Sequence, residues 1–329
     1  PLVGLYTDRR PLPYALAFGM AATGLGLILL AHAASFEVVL AAVALIGLGS
    51  AIFHPESSRI ARLAAGMRPG FAQSVFQVGG NVGSALGPLA AALIVLPRGQ
   101  VSVEWFAGVA LLGMVLLALV GRWYAGEGAV RMVARKKRII GTELPPATVR
   151  LALVVLIALI FSKFLYTVSF SSYYTFYLIE KFGVSTQGAQ LYLFVFLAAV
   201  AAGTFAGGPI GDRIGRKRVI WLSILGVLPI SLAIPSLGLT GTVIASGAAG
   251  MVMASAFPAI VVYAQELMPR NVGMVAGLFF GLAFGFAAVG AAVLGAIADA
   301  QGIEFVYRIC AWLPALGILA ALLPNLRSR

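Results

Sequence analysis

Gly208-Pro209-Ile210-Gly211-Asp212-Arg213-Ile214-Gly215-Arg216-Lys217 is a short charged loop in an otherwise apolar chain. Gly4-Leu5-Tyr6-Thr7-Asp8-Arg9 is a shorter copy of its first half. More anchors fall at the same interval: Pro55 matches Pro258, and Gly79 and Gly83 match Gly281 and Gly285. Four matches at an offset of about 203 residues indicate an internal duplication with a repeat unit of about 200 residues.

The segments between these anchors decide the fold class. The 329 residues are 61% hydrophobic and only 10% charged, against about 25% charged residues in soluble domains. Apolar stretches of the length needed to cross a ~30 Å hydrocarbon layer recur throughout. Ten spans can be marked, at 13–33, 36–58, 71–97, 103–122, 150–179, 189–210, 217–237, 241–265, 272–298 and 305–324. The 39 glycines and 16 prolines suit membrane helices. The expectation is an all-α integral membrane protein, with the lipid bilayer as its surroundings.

Charge placement orients it. Residues 123–149 form a basic linker that carries Arg131 and the run Arg135-Lys136-Lys137-Arg138. With that linker in the cytoplasm, nineteen Lys and Arg residues fall inside and only Arg98, Lys181 and Arg308 outside. That bias fixes a topology with linker and C-terminus cytoplasmic. It also explains the net charge of +12 without nucleic acid. A solvated topogenic loop accounts for the basic linker more simply than a specific lipid site does. One cysteine, Cys310, excludes a disulfide framework and a cysteine metal site. No G-x-x-x-x-G-K-[ST] loop is present, so nucleotide-driven transport is not expected, and neither is a metal or cofactor.

In the second repeat two spans precede Asp212, whereas only seven residues precede Asp8. The plan is therefore expected to be two six-helix bundles, N-terminally truncated to about ten transmembrane helices. An N-terminal bundle covers 1–122 (lacking helix 1 and most of helix 2), the linker 123–149, and a C-terminal six-helix bundle 150–329.

Two six-helix units joined by a basic linker, with G-x-x-x-D-R in equivalent loops, resemble the major facilitator superfamily. The copy at Gly208–Lys217 is similar to that superfamily's fuller motif G-x-x-x-D-R-x-G-R-[RK], while Asp8-Arg9-Arg10-Pro11 keeps only its start. A narrower resemblance is to transporters of the fosmidomycin-resistance type. It rests on Gly49-Ser50-Ala51-Ile52-Phe53-His54-Pro55-Glu56-Ser57-Ser58-Arg59 and Ala72-Gln73-Ser74-Val75-Phe76-Gln77-Val78-Gly79-Gly80-Asn81. Phe161-Ser162-Lys163, Ser171-Ser172-Tyr173-Tyr174-Thr175-Phe176-Tyr177 and Tyr263-Ala264-Gln265-Glu266-Leu267 look similar too. The resemblance implies a secondary transporter in a bacterial cytoplasmic (inner) membrane, not an enzyme. It would act as a monomer and export a small anionic phosphonate drug in exchange for protons. A uniporter or importer of another organic anion or sugar is the alternative.

His54-Pro55-Glu56 lies about 30 Å along its helix from Phe36, near the cytoplasmic end. His54 and Glu56 are two apart and do not share a helix face. Pro55 leaves the Ala51 carbonyl without its helical donor and should kink the helix. One reading pairs Glu56 with Arg59 and bonds His54 to Ser50 or Ser58. The other makes Glu56 a proton-carrying carboxylate with His54 as its modulator, since an ionisable group in a span is a functional candidate. The second repeat keeps the proline in Ala256-Phe257-Pro258-Ala259 but neither ionisable group.

Lys163 lies about 20 Å past Arg150, where a lysine costs at least ~2.5 kcal/mol. A cation at that depth suits an anionic ligand. The hydroxyls of Tyr166, Ser169, Tyr173 and Tyr174 on the same helix are expected to line its path, with Gln73 and Gln77 as further substrate contacts; the polar stripe of Gln73, Gln77 and Asn81 faces either the cavity or another helix, not lipid. Asp8 and Asp212 are read as conformational latches, with Arg9, Arg213 and Arg216 around them; a carboxylate there can cap a helix N-terminus. Gly79, Gly83, Gly87 and Pro88 give a small-residue face for close helix packing. They also resemble the glycine-rich antiporter helix of the superfamily, except that Ala91 and Ala92 stand where glycines usually follow. Glu266, Asp299, Glu104 and Glu37 are placed at interfaces.

Overall fold

A computed structural model describes residues 2–10, 12–90, 94–128 and 144–326. The basic run 135–138, Arg131, Pro11, Ala91, Ala92, Arg327 and Arg329 lie outside the described residues. Fourteen α-helices are described: α1 Leu2–Arg9, α2 Ala15–Ala31, α3 Phe36–Ala64, α4 Pro69–Ala90, α5 Leu96–Arg98, α6 Trp105–Trp123, α7 Pro146–Phe182, α8 Thr186–Ile214, α9 Arg216–Leu225, α10 Leu228–Ala233, α11 Leu239–Ala254, α12 Ala256–Leu267, α13 Val272–Gln301 and α14 Ile303–Cys310. Short 3-10 turns fill Gln100–Glu104, Ile234–Ser236 and Leu313–Leu322, and a π-turn fills Tyr124–Gly128. Eight continuous helical stretches are long and apolar enough to cross a membrane, and the 17-residue α2 is a shorter apolar helix. With α4, each of the ten expected spans has a helical counterpart.

Several spans are broken, and proline sets where. Helix α9 ends at Leu225 before Pro229, α11 at Ala254 before Pro258, and α14 at Cys310 before Pro314. In each case the last helical residue is the one whose carbonyl the proline cannot satisfy, because proline has no N–H to donate four residues back. Pro55 and Pro209 behave differently: α3 and α8 run through them without a break. The kink expected at Pro55 is thus not an interruption of the helix.

The chain folds into two compact units that do not follow the sequence halves. The first comprises Pro1–Gly66, Leu86–Thr142 and Met268–Phe280; the second comprises Met67–Ala85, Glu143–Leu267 and Gly281–Arg329. In the first, α2 packs against α3 and α6, and Tyr124 is buried with Leu16 and Ile60. In the second, α7 carries a ladder of buried rings. Phe170 stacks on Phe196 at 4.8 Å and Tyr177 on Tyr307 at 3.9 Å, and the Tyr307 hydroxyl donates to the Ser169 carbonyl at 2.8 Å. Helices α8 and α11 touch backbone to backbone, since a Cβ on Gly203 would fall 1.8 Å from the Met251 carbonyl oxygen.

Side chains tie down the end of the C-terminal turn. Lys217 donates to the Ala321 carbonyl at 3.0 Å and to that of Leu323, and the Tyr263 hydroxyl donates to Pro324. A cation at a helix C-terminus meets the carbonyls left without partners there. Lys217→Met is expected to lower the thermal unfolding midpoint in detergent, by loss of a charge-assisted contact of about 1.5–3 kcal/mol. An unchanged midpoint would remove this anchor.

Candidate functional site

Both aspartates of the repeated motif cap a helix distant in sequence. Asp212 accepts from the backbone N–H of Gly70 at 3.0 Å and of Phe71 at 2.9 Å, in the first turn of α4. Asp8 accepts from Gly273 at 3.0 Å and Met274 at 2.9 Å, in the first turn of α13. The first-turn N–H groups have no helical acceptor, and the helix dipole favours an anion there. Glycine permits the approach on both sides. A Cβ on Gly208 would lie 2.3 Å from the Gly70 carbonyl oxygen, and one on Gly4 would lie 2.1 Å from that of Gly273.

The two caps differ in their surroundings. Asp212 pairs with Arg216 at 3.0 Å, which reaches Glu266 at 3.4 Å. Asp8 has Leu12 where Arg216 would be; Arg59 is a cation that acts on it. Burial pushes the Asp8 carboxyl above the usual carboxylate range, while the two backbone donors and Arg59 pull it down. Arg9 and Arg213 are exposed, and among the described residues neither makes an ion pair.

The His54-Pro55-Glu56 stretch splits into two contacts. Glu56 is fully buried and holds Arg59, whose Nε lies 3.2 Å from one carboxylate oxygen while a terminal nitrogen bonds the other. Arg59 also donates to the Tyr124 hydroxyl at 2.6 Å. His54 turns elsewhere: its Nδ1 lies 3.1 Å from the Ser50 hydroxyl and 3.0 Å from the Ser50 carbonyl, and its ring is 5.0 Å from that of Phe280.

Lys163 is 7% exposed on α7. Its ammonium sits 4.0 Å from the ring centroid of Phe164 and 5.2 Å from that of Phe257 on α12. Among the described residues no carboxylate or hydrogen-bond acceptor reaches it. The hydroxyl-bearing candidates of α7 do not surround it. Tyr166 and Tyr174 end beside Ser231 and Ser246, the Ser169 hydroxyl donates to the Tyr166 carbonyl at 2.7 Å, and Tyr173 donates to Ala291. Tyr166, Ser169 and Tyr174 are buried within the aromatic ladder. Gln73 and Gln77 are buried on α4, and Asn81, next on that stripe, donates to Thr204 of α8 at 2.8 Å. Among the described residues the Gln77 amide nitrogen has no hydrogen-bond acceptor.

Sequence reasoning missed four residues here. Tyr124 sits at a helix end that reads as the start of the linker. Phe164 and Phe257 carry no contrast in apolar helices. Glu266, placed at an interface, joins the Asp212–Arg216 pair. Its spacing from that motif gave no signal, since the two lie on separate helices.

Among the described residues, eight helical stretches apolar enough to cross a membrane and the shorter α2, in two repeats with a capping aspartate at the same place in each, define a multi-pass membrane protein of the repeat-built transporter class. The chain belongs to the Major Facilitator Superfamily, whose model matches residues 1–282 and 155–329. It is 56% identical over 329 residues to the fosmidomycin resistance protein of Escherichia coli (strain K12), spanning all of this chain and 81% of that protein. It is 47% identical over 331 residues to an uncharacterized MFS-type transporter of Bacillus subtilis (strain 168), spanning 99% of this chain and 80% of that one. Among solved structures, the fucose:proton symporter of E. coli superposes with a TM-score of 0.74, over 98% of this chain and 87% of that chain, at 16% identity. At that identity the likeness is one of fold.

Proposed function

We propose that this chain exports small organic anions, fosmidomycin among them, from a bacterial cytoplasm in exchange for protons, its two repeats rocking in alternating access. The observation that carries the reading is Lys163, a buried cation that no carboxylate neutralises among the described residues. Such a charge is costly in a membrane and is retained where it meets a ligand. The 56% identity to a fosmidomycin resistance protein supplies the ligand class, a phosphonate. The asymmetry of Lys and Arg supports a cytoplasmic linker and C-terminus.

Glu56 is the proton carrier in this reading. Protonation removes the charge that holds Arg59 and frees that guanidinium for Asp8, loosening the cap on α13. His54 modulates the step through its contact with Phe280 on the same helix. Asp8 and Asp212 are the latches, with Arg216 fixing the second. Gln77, whose buried amide nitrogen has no acceptor among the described residues, is in this reading a second ligand contact beside Lys163. Tyr166, Ser169, Tyr173, Tyr174 and Gln73 would join only by exchanging their present surroundings. A second reading follows from the Glu56–Arg59 pair itself: a neutralised carboxylate carries no proton, and transport would then be uniport.

The test uses proteoliposomes enclosing a pH-reporting dye, with an imposed fosmidomycin gradient and a cationic drug as control. Proton flux with fosmidomycin alone, lost in Glu56→Gln, is expected. Uptake of radiolabelled fosmidomycin without proton flux would establish uniport. Full pH-driven exchange by Glu56→Gln would remove that residue from the coupling.

A further inference from the structure

Phe257 occupies the position in the second repeat that His54 occupies in the first, the residue before the shared proline. In each repeat a ring is therefore placed at the same point of the same helix. His54 meets Phe280, and Phe257 meets the Lys163 ammonium. Phe257 and Phe164 stand edge to face with centroids 5.0 Å apart at 83°, so the two rings close on the ammonium from different directions. The helix break at Ser255, imposed by Pro258, begins α12 one residue before Phe257.

We propose that Phe257 and Phe164 form an aromatic clamp that positions Lys163 as a charged, unneutralised anion receptor, and so determine the site's specificity for anionic ligands. The inference rests on the reading of Lys163 as the anion contact. A ring face attracts a cation through its quadrupole without carrying charge of its own. A carboxylate would hold the ammonium more strongly but would cancel the charge an anion needs. The two rings hold the Lys163 amine in place without a counter-charge beside it, and its remaining N–H donors are left for the ligand. An anion with flat or methylene portions would pack those against the same rings, so the clamp favours small organic anions over inorganic ones.

The experiment measures binding of radiolabelled fosmidomycin, and separately of inorganic phosphate, to the purified protein in detergent micelles. Phe257→Leu keeps an apolar side chain and removes the ring; Phe257→Tyr keeps the ring. Phe257→Leu is expected to bind fosmidomycin about tenfold more weakly, the size of a desolvated cation–π contact, with Phe257→Tyr restoring binding to within about threefold. Thermal unfolding of Phe257→Leu at the wild-type midpoint excludes a folding defect; if it is lowered, Phe164→Leu is the second variant, with the same expectation. Lys163→Met separates the two claims. If Lys163→Met abolishes binding while both leucine variants bind at wild-type affinity, the clamp is overturned and the anion site stands. If Lys163→Met binds fosmidomycin normally, the anion site falls and the clamp with it. Equal losses for phosphate and fosmidomycin in Phe257→Leu would leave positioning of the ammonium and overturn the organic-anion preference.

Discussion

Arg59→Met is expected to destabilise this protein by ~3–5 kcal/mol, because it leaves the Glu56 carboxylate buried without its counter-charge. Glu56 is 0% exposed and Arg59 7% exposed, and the guanidinium is shared between that carboxylate and the Tyr124 hydroxyl. The desolvation cost of such a pair is met by mutual attraction only while both partners stay. The double variant Glu56→Gln with Arg59→Met removes both charges and is expected to recover most of the loss, to within about 1 kcal/mol of the parent. The measurement is thermal unfolding in detergent micelles for the two single variants and the double. A strongly positive coupling in that cycle is the expected result. Additive losses would mean that Glu56 and Arg59 act on separate neighbours, and the proton step built on their pairing would lose its basis.

What could be read from the chain, and what could not, divides along one physical line. Features carried by a contrast within a short window were legible. The repeated motif stood out because charged residues interrupt apolar runs, and Lys163 stood out for the same reason. The paired reading of Glu56 with Arg59, and of His54 with Ser50, followed from helical spacing, and the geometry has those contacts. The partners of Asp8 and Asp212 were not legible. They are backbone N–H groups 265 and 142 residues away in sequence, and a backbone group has no sequence signature. The surroundings of the α7 hydroxyls were not legible for a related reason. A helix rich in Tyr and Ser reads as lining a path, but burial in an aromatic ladder uses the rings, and local carbonyls use the serine. The prolines were legible as points of weakness, but which of them break a helix depends on packing: Pro258 does and Pro55 does not.

The glycines give the last and most discriminating expectation. Those of the capping motif are filled sites: a Cβ on Gly208 would meet the Gly70 carbonyl at 2.3 Å. Gly79, Gly83, Gly281 and Gly285, which match across the repeats, are different. A Cβ on any of them would meet nothing within 4 Å among the described residues, and all four are exposed. Among the described residues nothing packs closely at Gly79 and Gly83, and the same opening recurs at the equivalent glycines of α13. In alternating access, small-residue stripes that are open in one state are the surfaces able to close in the other. Gly208→Val is expected to cost about 1–3 kcal/mol by overpacking and to break the Asp212 cap. Gly281→Leu is expected to leave the unfolding midpoint unchanged and to reduce fosmidomycin export more than tenfold, a barrier increase of at least ~1.4 kcal/mol. Paired measurements of stability and export separate the cases. Loss of both in Gly208→Val, with loss of export alone in Gly281→Leu, would mark α13 as a surface that meets a partner helix only during the cycle. Wild-type export by Gly281→Leu would show that the stripe does not close during transport.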